Sequence, residues 1–144
     1  MKQRLSRPSG HPAPEQITLQ GQRIALALIA AIVTDRFLER YPDELDRYET
    51  PGLVREWCEH DTRHLIGWAA AEAERGSPLA TQLDWLGVVL ESRGYPVQRL
   101  ADTLDLCAAV LHEQLGSTAE KIGESLTAGA AHVRAQRTFL APAG

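Results

Sequence analysis

The 144-residue sequence predicts an all-α fold, and three observations carry that prediction. Apolar residues recur at three- and four-residue intervals, as on one face of a helix. Glycine–proline signals such as Gly76-Ser77-Pro78 and Gly94-Tyr95-Pro96 punctuate those segments. Period-two alternation of the kind a half-buried strand needs is nearly absent. Hydrophobic residues make up 44% of the chain, which at this length suits one domain with its own core.

Taken in order, residues 1–16 read as a flexible N-terminal arm, because Pro8, Pro12 and Pro14 stand among polar neighbours without periodicity. Residues 17–140 read as a single helical domain. Its first helix is predicted from Ile17 to Tyr41, burying Ile24, Leu28, Ile32 and Val33, and Pro42 ends it. Residues 43–48 suit a short helical turn. Thr50-Pro51 then supplies a cap and a proline at the first helical position of a helix reaching Arg75, where Gly76 stops it. Ser77-Pro78 opens a third helix with the stripe Leu79, Leu83, Leu86 and Leu90, closed by Gly94. Pro96 opens a fourth, whose stripe is Val97, Leu100, Leu104, Cys107, Leu111 and Leu115. Gly116 ends it, and Ser117 with Glu120 forms a capping box for a last helix running to about Thr138.

Charge and composition remove several function classes. A net charge of −4 without a concentrated cationic face argues against a nucleic-acid partner. The apolar run Ile24–Val33 is too short to span a bilayer, so no membrane partner is expected. The N-terminal residues carry cations but no apolar stretch, unlike a secretory signal, and Cys58 and Cys107 read as reduced thiols of a cytoplasmic protein.

The chemistry concentrates in Arg55-Glu56-Trp57-Cys58-Glu59-His60-Asp61. On a helix, Arg55, Cys58 and Asp61 share one stripe, and Trp57, Asp61, His64 and Trp68 share another. One reading is the wall of a ligand groove, with indole planes for a flat ligand and Asp61 accepting its N–H groups. The other is plain packing: tryptophans in the core, Cys58 a small buried hydrophobe, and Asp61 paired with Arg55. Cys58 lies about two turns into the helix, beyond the reach of the terminal field that would activate a thiol. Cys107 belongs to the leucine-rich stripe. His60 and His64 lack a metalloprotease pattern, His112 beside Glu113 makes a poor haem ligand, and no metal site is assigned. The run Asp43-Glu44-Leu45-Asp46-Arg47 reads as solvated surface. No phosphate loop, nucleophilic set or acid–base pair is present, so no enzymatic activity is assigned.

The order of these features resembles that of the phycobiliproteins and their non-antenna relatives associated with bilin biosynthesis. The resemblance covers residues 24–134. Its parts are Val33-x3-Phe37-x3-Tyr41-Pro42, the Cys58-x-x-Asp61 pair followed by Leu65, the Gly76–Pro78 link, the Gly94–Pro96 corner and Gly116-Ser117. It implies a globin-like fold without the two extra N-terminal helices of antenna subunits. It also implies a linear tetrapyrrole, a bilin of the biliverdin or phycocyanobilin type, held in a groove beside the 51–75 helix. Cys58 would carry a thioether, Asp61 would accept the inner pyrrole N–H groups, Arg55 or Arg63 would hold the propionates, and Trp57 and His64 would line the groove. The implied role is bilin metabolism, carriage or sensing, alongside haem oxygenase or bilin reductase pathway proteins, with a homodimer as one form. His60 stands where antenna proteins carry an arginine, and Gln98-Arg99 replaces their aromatic pair. The alternative is a pigment-free globin-like interaction or sensor module acting through dimerisation or a partner domain. In that case the tryptophans pack against protein and Cys58 is enclosed.

Overall fold

A computed structural model describes residues 2, 4–8 and 10–140. The chain is mainly helical, with one small antiparallel hairpin. In order, it has strands β1 (Gln16–Leu19) and β2 (Gln22–Ala25), then helices α1 (Ala27–Arg40), α2 (Pro51–Arg75), α3 (Leu79–Ser92), α4 (Gln98–Leu115) and α5 (Glu120–Ala135). Short 3-10 turns at Pro42–Asp46 and Gly116–Ala119 lead into α2 and α5.

The hairpin replaces the first eight residues or so of the helix expected from Ile17. Ile17, Leu19, Ile24 and Leu26 alternate with polar or small residues, and all four are buried. Ile17 pairs with Ile24 and Leu19 with Gln22, leaving Gln20 and Gly21 as a two-residue loop. Both loop residues have positive φ, 50° and 78°, the twist that matches adjoining strands. Leu26 then donates its N–H to the Glu15 carbonyl (2.9 Å), and α1 begins one residue later. The buried face of α1 is Ile29, Ala30, Val33, Thr34 and Phe37, whereas Leu28, expected inside, is 64% exposed.

The core is built mainly where α4 and α5 pack together, with α1 and α2 laid against them and α3 resting on α5 and α2. Leu100, Leu104, Cys107 and Leu111 of α4 are buried, as are Leu79 and Leu83 of α3 and Ile122, Leu126 and Val133 of α5. Gly129 permits that packing. A methyl group there would sit 3.0 Å from both the Leu79 and Leu83 side chains.

The helix ends use different devices from those expected. Pro51 does occupy the start of α2, and Gly76 (φ 72°) closes it by returning its N–H to the Glu72 carbonyl at 2.9 Å. The start of α3, however, is capped not by Ser77 but by the Glu72 side chain, which accepts the Leu79 N–H at 2.8 Å. The Ser117–Glu120 capping box does not form, because Gly116–Ala119 winds as a 3-10 turn and α5 starts at Glu120 without a side-chain cap. Arg36 joins α1 to α4 through two hydrogen bonds to Glu113, 2.7 and 3.2 Å.

Gln20 pays a steric cost for its left-handed backbone that asparagine largely avoids. Gln20→Asn is expected to raise the urea midpoint by the equivalent of about 0.5–1 kcal/mol, and Gly21→Ala to lower it by about 1 kcal/mol. Equal midpoints for both variants would place the loop outside the cooperative unit.

Candidate functional site

Helix α2 presents two faces with different chemistry. Its inward face, Val54, Thr62, Leu65, Ile66, Ala69 and Ala73, is buried. Its outer face carries a run of rings: Trp57 to His60 with centroids 5.4 Å apart, His60 to His64 at 4.7 Å, and His64 to Trp68 at 5.8 Å. The i, i+3 and i, i+4 spacing of 57, 60, 64 and 68 stacks them one above another. All four rings are partly buried, and Trp68 leans on the core. Burial and the neighbouring His60 hold His64 below the usual histidine range.

Residues 4–8 and 10–14 lie along this run, in the same direction as α2. The Trp57 indole N–H donates to the Ser6 carbonyl. Arg7 reaches Glu56 at 3.2 Å and Arg4 reaches Glu49 at 4.0 Å. The His64 ring lies beside the His11 backbone. Ala13 is buried, and the Pro14 ring covers Gly67 so closely that a methyl group there would meet it at 2.9 Å.

The six residues expected to hold a bilin part company here. Cys58 is turned inward, toward the hydroxyls of Thr34 and Thr62, which are fully buried and have no other partner. Burial pushes its thiol up to about 11, so at neutral pH it is protonated and a weak nucleophile. Cys107 lies deeper, and burial raises its thiol further. Asp61 points out, its side chain 54% exposed, and accepts a 3.0 Å hydrogen bond from the His60 ring. Arg55 does not pair with Asp61; it bridges to Asp35 of α1 at 2.7 Å and to Glu59 at 3.3 Å. Arg63 is half-buried on the same helix, and Trp57 and His64 belong to the ring run just described.

A second polar cluster lies beside Cys58, where surface was expected. Glu44 is only 3% exposed and accepts hydrogen bonds from Arg99 (2.6 Å) and from the Tyr95 hydroxyl (2.8 Å). Arg99 also reaches Asp43 at 2.8 Å and lies 4.3 Å from the Tyr41 ring centroid. Burial and the Glu44 carboxylate push the Tyr95 hydroxyl far up. Tyr41 in turn donates to Asp102, which also binds Arg134 at 2.8 Å. Burial opposes ionisation of Asp102, but these donors outweigh it and keep its carboxyl below the usual range. The sequence marked the two ends of this cluster, Asp43–Arg47 and Gln98-Arg99, but gave no sign that they meet.

A depression of about 230 Å³, open to solvent, lies between Gln20, Ser117, Glu120, Lys121 and Glu124, and neither Cys58 nor Asp61 lines it. Among the described residues no group of three or more His, Cys, Asp or Glu side chains is placed to hold a metal ion. No described helix is long and apolar enough to cross a membrane. Comparisons with protein-family models, curated proteins and solved structures gave no significant match.

Two outcomes follow. Alkylation of Cys58 by iodoacetamide at pH 8 is expected to be roughly ten- to a hundred-fold slower than for a free thiol, with a rate still rising toward pH ~11; a plateau near pH 9 would contradict the enclosed thiol. Glu44→Ala should cost about 2–3 kcal/mol in chemical denaturation, because it leaves the buried Tyr95 hydroxyl unpaired and Arg99 with Asp43 as its remaining carboxylate; a loss under 1 kcal/mol would show that water replaces the carboxylate.

Proposed function

We propose that this chain is a pigment-free helical interaction module of globin-like architecture, working through the outer face of α2. The observation that carries this reading is the seating of residues 4–8 and 10–14 on that face: they form neither helix nor strand and are held by an indole donor, two ion pairs and a proline on a glycine. A surface that retains such a segment has the chemistry to retain a protein partner. The protonated, inward Cys58 and the engagement of Arg55 with Asp35 and Glu59 support the same reading, because neither is free for a pigment. Helices α1 to α5, in the order of the phycobiliprotein resemblance, support the globin-like assignment. Two free cysteines fit a reducing cytoplasmic setting.

A second reading keeps the bilin, held without a thioether on the same face. It is favoured by Asp61, an exposed carboxylate beside the His60 ring and midway along the ring run, where it suits a row of pyrrole N–H donors. Haem oxygenase or bilin reductase pathway proteins are the partners that reading implies.

One titration separates the two. Mixing the protein with biliverdin or phycocyanobilin is expected to leave the bilin spectrum unchanged and to give no zinc-fluorescent band on a denaturing gel. In parallel, the Trp57 indole N–H, hydrogen-bonded to the Ser6 carbonyl, is expected to exchange about ten-fold more slowly than the indole N–H of the exposed Trp85. A strengthened red band that Asp61→Ala abolishes would instead establish the bilin reading.

A further inference from the structure

The chemistry of the segment seated on α2 defines a partner class. We infer that the outer face of α2 recognises an arginine- and proline-bearing peptide, and that residues 4–8 and 10–14 are a built-in occupant which such a peptide must displace. This rests on the interaction-module reading and deepens it.

Three features of the contact are selective. Glu56 on α2 pairs with Arg7, and Glu49, just before the helix, lies 4.0 Å from Arg4, so the upstream end of the face suits cations. Trp57 donates its indole N–H to a backbone carbonyl two residues before Pro8, a contact any sequence can satisfy provided its backbone lies open. A backbone already hydrogen-bonded in a helix or strand has no such carbonyl to offer, and proline keeps a segment in that open state at low entropic cost. Gly67 then leaves a gap filled by the Pro14 ring, which a side chain at 67 would close. The distance from Trp57 to Gly67 is about 15 Å at 1.5 Å per helical residue, which the nine residues from Ser6 to Pro14 cover with slack. A positively charged, proline-containing stretch therefore meets acidic side chains and a carbonyl clamp at one end and a proline seat at the other.

Occupation in cis has a quantitative consequence. A segment joined to its own site acts at an effective concentration on the order of millimolar, so a free peptide of equal intrinsic affinity competes poorly against it. Loosening the resident segment should uncover the site without altering it. Reversing both cations, in R4E/R7E, does this from the segment side and leaves α2 untouched.

The test uses the full chain and a fluorescein-labelled peptide with the sequence of residues 2–14, followed by anisotropy at low salt, with exchange of the Trp57 indole N–H as an independent report on the resident segment. Expected is binding by R4E/R7E at least ten-fold tighter than by the wild type, weakened at least five-fold when Trp57→Phe or Glu56→Lys is added, with the helical circular dichroism unchanged. If the Trp57 indole N–H of R4E/R7E exchanges faster but the peptide binds no better than to the wild type, the peptide class is overturned while the interaction reading stands for other partners. If that N–H already exchanges in the wild type as fast as the indole N–H of the exposed Trp85, the seating itself fails and both readings fall.

Discussion

A single buried carboxylate, Glu44, sets the geometry on which the rest depends. It sits on the 3-10 turn between α1 and α2, and its partners, Arg99 and Tyr95, belong to the start of α4 and the corner before it. An unpaired charge in that position would be expensive, so the turn can settle only where both donors are within reach. Fixing the turn fixes the exit of α1 and the entrance of α2 together. The pairing of Arg99 with Asp43, its stacking on Tyr41 and the link from Tyr41 through Asp102 to Arg134 carry the same constraint to α5. These neighbours answer the carboxylate's desolvation with several charge-assisted hydrogen bonds instead of one.

With its entrance pinned, α2 divides sharply between inside and outside. Leu65, Ile66 and Ala69 enter the core while the indole and imidazole rings line up opposite them. Cys58 falls on the border, near Thr34 and Thr62, in a neutral interior where a thiol is a packing group and not a reagent. The juxtaposition of cation, thiol and carboxylate in the primary sequence is therefore resolved by rotation about one helix axis. Arg55 turns to α1, Cys58 to the interior and Asp61 to solvent.

That rotation shows why the fold was more legible than the site. The stripe Leu100, Leu104, Cys107 and Leu111 fixes its own inward face, because burial rewards every member alike. Stops at Gly76 and Gly94 were readable for a similarly local reason: both adopt positive φ, which glycine tolerates best. The hairpin was lost because its strands are only four residues each, and Ile24 to Val33 is apolar enough to mimic one continuous helix. The signal was present in Ile17, Leu19, Ile24 and Leu26, alternating on either side of Gly21. Glu44 and residues 4–8 and 10–14 were not legible at all, since their environment comes from partners that are 51 and 55 residues away in the first case and 49 and 51 in the second. The capping role of Glu72 belongs with them: nothing in Ser77-Pro78 tells that the cap comes from the preceding helix.

The three tryptophans occupy three unlike environments. Trp57 lies beneath the N-terminal segment, Trp68 leans on the core, and Trp85 stands 59% exposed on α3. Their emission is thus a composite with physically separable parts. A polar quencher in solution reaches Trp85 first, loss of the core is reported by Trp68, and movement of the segment on α2 is reported most directly by Trp57, whose indole bonds it. The molecule carries its own optical assay, in which local uncovering and global unfolding have different spectral origins.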